Sequence, residues 1–97
     1  PTEFVGTGPV FMLEVHGDSM IDVGILNGDL VVIRRQSDVL DGEIVAALVD
    51  GEEATIKRLE RRDRQVILHA ENGAYEPMVF SDGIEILGKV VSVLRTL

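Results

Sequence analysis

The sequence predicts an all-β domain of short antiparallel strands, a compact sandwich or partly open barrel with at most one short helical turn after Ser19. Two observations lead there. Turn dipeptides recur at short intervals, at Asn27-Gly28, Asp41-Gly42, Asp50-Gly51, Asn72-Gly73 and Asp82-Gly83, and the segments between them are short and rich in β-branched and aliphatic residues. At 97 residues, of which 45% are apolar, the chain has room for one modest core and is neither disordered nor fibrous.

Residues 1–10 carry two prolines, two glycines and no periodicity, so they are expected to be a tail or linker stump, with the folded domain over 11–97. FMLEV (11–15) is the first expected strand. After it, HGDSM (16–20) reads as a polar turn, and SMIDVGI is the one helical candidate, with Ser19 as its N-cap and Gly24 stopping it. LVVIR (30–34), IVAALV (44–49), TIKRL (55–59), QVILHA (65–70) and MVF (78–80) follow as strands. The final stretch, ILGKVVSVLRTL (86–97), is apolar on both faces, with Val91 and Val93 on one and Val90 and Leu94 on the other. It is either a central strand covered on both sides or a strand that pairs with a second copy of itself.

Composition narrows the chemistry. With no cysteine there is no disulfide framework, thiolate metal site or thiol nucleophile, which fits a reducing, cytoplasmic setting. Two histidines are too few for a histidine-rich metal site, and no cofactor is expected. Nine basic against 17 acidic residues give a net charge of −8, the wrong sign for gripping a phosphate backbone. There is no basic-then-apolar leader and no apolar run of the roughly 18 residues that would suggest a membrane helix.

A serine hydroxyl attacks a carbonyl only when a neighbouring base takes its proton. His16 lies three positions before Ser19 but follows the pleat of the preceding strand; it and His69 read as strand-end residues. Lysine is the other solution, provided burial removes its charge. Of the two lysines, Lys57 and Lys89, the first lies in ATIKRL, two positions after Thr55 and therefore on the same strand face. The same pair also suits a lysine reaching solvent beside a surface threonine.

The ordered set GDSM, IDVGILNGDLVVIRR, DGEIVAALVDGEEATIKRL, ILHAENGAYEPMVF and ILGKVVSVL resembles the C-terminal self-cleaving domain of LexA-type SOS repressors, with related domains in phage repressors and UmuD-like mutagenesis proteins. The resemblance runs from about Phe11 to Leu94. It implies a Ser-Lys serine endopeptidase: Ser19 as nucleophile, Lys57 as general base, Thr55 in support, and the backbone N–H groups of Asp18 and Ser19 as the oxyanion hole. The reaction implied is cleavage of an Ala-Gly bond in the same polypeptide, stimulated by a RecA filament on single-stranded DNA.

The resemblance further implies a homodimer through the C-terminal strand, placing Val90, Val91, Ser92, Val93 and Leu94 at the interface. It implies operator DNA binding only through an N-terminal helix-turn-helix domain that these residues do not contain. No Ala-Gly dipeptide occurs in the sequence, so the cleavage loop is expected before Pro1 and the chain is expected to be a released product or trimmed form. The rival readings are a UmuD-like polymerase accessory subunit or phage repressor domain serving as a dimerisation module, and a type I signal peptidase. The last normally has a membrane anchor and a proline soon after the Ser-Met pair, where this chain has Ile21-Asp22.

Overall fold

The computed structural model describes residues 9–96; most of the expected N-terminal tail lies outside the described residues. Seven strands form one open sheet: β1 (Val10–Glu14), β2 (Leu30–Arg35), β3 (Ile44–Val49), β4 (Glu53–Arg62), β5 (Gln65–His69), β6 (Met78–Phe80) and β7 (Ile84–Leu94). Their spatial order is β1-β2-β7-β3-β4-β5-β6, and all neighbouring pairs are antiparallel. The all-β expectation therefore takes its open form.

The last strand in sequence enters the middle of the sheet, between β2 and β3. Its two-sided apolar pattern follows from that place. Val15, Met20, Ile25, Val31, Ile33, Ala46 and Ile56 form one buried cluster, and Val39, Val45, Ala47, Leu59 and Leu68 form a second. Consecutive residues of β3 thus divide between two cores, and β7 does the same, with Leu87 against the first and Ile84 and Ile86 against the second. Register shifts interrupt both of its ladders, between Val32 and Ile33 on β2 and between Ala46 and Ala47 on β3. Between these bulges, Gly88 lies so close to β2 that a Cβ there would overlap the Arg34 carbonyl oxygen and come within 2.8 Å of Ile33 Cγ2.

β4 is longer than its TIKRL kernel because different partners hold its halves. β3 pairs with Glu53–Arg58 and β5 with Arg58–Arg62, leaving the first half of β4 unpaired on its β5 side among the described residues. The one helical turn is a 3-10 segment, Ile21–Val23, closed by Gly24 in the left-handed region at φ 80. Ser19 is not its cap, contrary to expectation: Met20 holds that position, and no side-chain oxygen caps the turn. The Ser19 hydroxyl lies instead beside a lysine amine.

Candidate active site

Two elements bring the site together. Past β1 the chain turns at Gly17, whose φ of 89 belongs to the left-handed region open to glycine, and the Gly17 N–H donates to Asn27 Oδ1 at 2.8 Å. Met20, only 1% exposed, anchors the next residue in the first core. Ser19 is thus fixed between a backbone turn and a buried side chain. On the opposite side, β4 presents Thr55 and Lys57 from one face.

Lys57 Nζ lies 3.1 Å from Ser19 Oγ and 2.7 Å from Thr55 Oγ1. The lysine is 9% exposed, and this burial pushes the ammonium pKa below its ordinary value; the Glu53 carboxylate on the same strand acts in the opposite sense. A buried amine tending to neutrality beside a serine hydroxyl is a proton acceptor in place for a nucleophile. Thr55 holds the amine by a second hydrogen bond and so restricts its rotamers. The reading of Lys57 as a lysine extended to solvent is excluded by its burial.

A groove of about 440 Å³ opens over these side chains, flanked by Leu13, Glu14, Val15 and His16 on one side and by Glu53, Ala54 and Ile56 on the other. Both flanks are strand edges. Among the described residues, β1 pairs with β2 alone, and the Glu53–Lys57 portion of β4, held by β3 on one side, has no strand partner on the other. Such edges carry free N–H and C=O groups that accept an extended peptide as an added strand. His16 borders the groove, while His69 does not line it and has Nε2 2.7 Å from Glu60 Oε1.

Sequence reasoning gave no role to the loop Glu71–Tyr75, which grips the serine turn at four points. Glu71 N–H donates to the Ser19 carbonyl at 2.8 Å, and Asp22 N–H donates to the Glu71 carbonyl at 2.9 Å. Asn72 Nδ2 donates to the Asp18 carbonyl at 2.9 Å, and the Tyr75 hydroxyl donates to the Asp18 carboxylate. That carboxylate pushes the Tyr75 pKa up, since ionising the phenol would remove the donor and add a second negative charge. Asn72-Gly73 was visible only as a turn signal; bonds to main-chain carbonyls far away in sequence leave no pattern.

The remaining expected residues fall elsewhere. Val90, Val91, Ser92, Val93 and Leu94 lie on the last part of β7, beside a shallow depression that also includes Val23, Ile25 and Ile44. Here β3 pairs with β7 only as far as Lys89, so one edge of this segment is unpaired among the described residues. Val93 and Leu94 are exposed. No described helix is long and apolar enough to cross a membrane.

Comparison with known proteins identifies the chain's relatives. The chain is 54% identical over its full 97 residues to the LexA repressor of Arthrobacter sp. (strain FB24), covering 38% of that protein. It is 50% identical over 95 residues, 98% of its length, to the LexA repressor of Pelotomaculum thermopropionicum, covering 46% of that protein. The LexA repressor of Exiguobacterium sibiricum is 48% identical over 97 residues, again the whole chain, which spans 47% of that relative. The chain thus spans less than half the length of these curated relatives. It matches the Peptidase S24-like family over residues 1–91, and so belongs to that family.

Proposed function

We propose that this chain is the C-terminal catalytic and dimerisation domain of a LexA-type SOS repressor, a serine endopeptidase that cuts an Ala-Gly bond upstream in its own polypeptide. The observation that carries the reading is the Ser19–Lys57–Thr55 cluster at the floor of a groove edged by two unpaired strand segments. The scissile segment enters as an added strand. Ser19 Oγ attacks the alanine carbonyl carbon as its proton passes to neutral Lys57 Nζ, and the N–H groups of Asp18 and Ser19 receive the oxyanion.

Collapse of the tetrahedral intermediate breaks the C–N bond, and the Lys57 ammonium protonates the departing glycine amine. A water molecule, deprotonated by the same amine, then hydrolyses the acyl-enzyme. Closing the peptide over Lys57 excludes water and favours its neutral form, so a partner that stabilises the closed state accelerates cleavage. In this reading the partner is a RecA filament on single-stranded DNA, operator binding belongs to a separate N-terminal domain, and the protein acts in the cytoplasm.

The test is mass spectrometry after treatment with a small phosphonofluoridate across a pH series. A single adduct on Ser19, forming faster as pH rises, is expected; folded protein that stays unlabelled at every pH would rule out the peptidase reading.

In this reading the dimer forms at Val90–Leu94 of β7, whose β3-side edge is unpaired among the described residues, where two copies can pair antiparallel and cover the exposed Val93 and Leu94. Val93→Asp places a charge in that seam. The variant is expected to sediment as a monomer where the parent sediments as a dimer, and a dimer of unchanged strength would place the interface elsewhere.

A further inference from the structure

The Ser19 turn is held from outside by a loop that contributes nothing to the proton chain, and the way it is held bears on where the oxyanion donors point. In a trans peptide the C=O of one residue and the N–H of the next point in opposite directions. Fixing the Asp18 carbonyl therefore fixes the Ser19 N–H, and fixing the Ser19 carbonyl fixes the Met20 N–H. Asn72 Nδ2 holds the first carbonyl at 2.9 Å and Glu71 N–H holds the second at 2.8 Å. Among the described residues, the N–H groups of Asp18 and Ser19 donate to no protein acceptor.

The holding loop is itself anchored. Asn72 Oδ1 accepts from Ala74 N–H at 3.0 Å, which shapes the turn and orients the amide. Glu71 Oε1 lies 3.3 Å from Arg58 Nη2, and Arg58 is the residue after the lysine on β4. The chain that aims the serine peptide thus ends on the strand that carries the base.

We propose that Asn72 is a positioning residue for the oxyanion hole: by holding the Asp18 carbonyl it turns the Ser19 N–H toward the groove. The inference rests on the Ser-Lys peptidase reading. Asn72→Asp is the sharpest variant, because it keeps the acceptor that shapes the turn and removes the donor that holds Asp18. Asn72→Ala, which adds no charge, is its companion.

Both variants are labelled with the phosphonofluoridate, and the plateau rate at high pH is compared with that of the parent. A fall on the order of tenfold is expected in each. The phosphorus resonance of the Ser19 adduct supplies a readout that a loss of stability alone would not move. In the parent, the phosphoryl oxygen in the hole displaces the resonance from its position in the unfolded adduct, and in the folded variants this displacement shrinks.

Parent-like rates and resonance in either folded variant would overturn the role of Asn72 while leaving the peptidase reading intact. An unlabelled parent would remove that reading and this inference with it. Circular dichroism identifies any variant that fails to fold, and the other then decides.

Discussion

Lys57→Ala is expected to lower the rate of Ser19 labelling and of trans cleavage of an added Ala-Gly segment by about 10²–10⁴-fold at neutral pH, the range for loss of a placed general base. The parent's rate should rise with pH, because burial lowers the Lys57 pKa from its ordinary value of 10.5 and the neutral amine is the proposed base. The sign for stability follows from the same shift. A lysine whose pKa is lower folded than unfolded binds more protons in the unfolded chain, so stability increases as pH rises toward 10.5. Replacement by a neutral residue removes that dependence. The variant should therefore be inactive, and its melting temperature should lack the rise that Lys57 gives the parent as pH approaches 10.5, apart from any loss due to the cavity left behind. A variant that keeps the parent's pH–rate profile would show that Lys57 is not the base.

The strands were legible because a half-buried pleat leaves an alternating trace and tight turns leave glycine after asparagine or aspartate. β3 and β7 were legible in another way. Strands covered on both faces read as continuous apolar runs, as IVAALV does, and ILGKVVSVL reads the same way although its end leaves Val93 and Leu94 exposed. What the sequence withheld depends on register. Lys57 is flanked by Ile56 and Arg58, and nothing local distinguishes a buried lysine from an exposed one. Its burial results from the pairing of β4 with β3 and from the turn that brings Ser19 over it.

The Ser19 cap was misjudged for a related reason. A serine before a short polar turn satisfies the local rule for capping, but here its hydroxyl lies beside the Lys57 amine, 3.1 Å away, and the turn begins one residue later. The Glu71–Tyr75 loop was invisible as part of the site because a hydrogen bond to a backbone carbonyl makes no demand on the identity of the residue that supplies it.

Asp29 supplies the second large effect, on stability. It is 2% exposed, and its carboxylate takes Arg95 Nε on Oδ1 and Arg95 Nη2 on Oδ2, each at 2.7 Å, as well as the Leu26 N–H on Oδ2 at 2.8 Å. The Arg95 hydrogen bonds first, and the Leu26 N–H next, lower its pKa from 3.8 to about 2. A carboxylate with a depressed folded pKa contributes stability that is present in full above the unfolded value and is lost as pH falls from about 3.8 toward 2.

Asp29→Asn keeps the shape and removes the charge, so its melting temperature at neutral pH is expected to fall by roughly 10 °C or more. The gap to the parent should narrow steadily below pH 3.8. A gap of constant size down to pH 2 would mean that packing rather than the ion pair holds this corner. Arg95 follows the end of β7 and also donates to the Gly24 carbonyl at 2.8 Å, at the close of the turn that begins beside Ser19. The same bonds that stabilise the domain therefore tie the proposed dimer strand to the segment carrying Ser19, the proposed nucleophile, and weakening them should loosen both together.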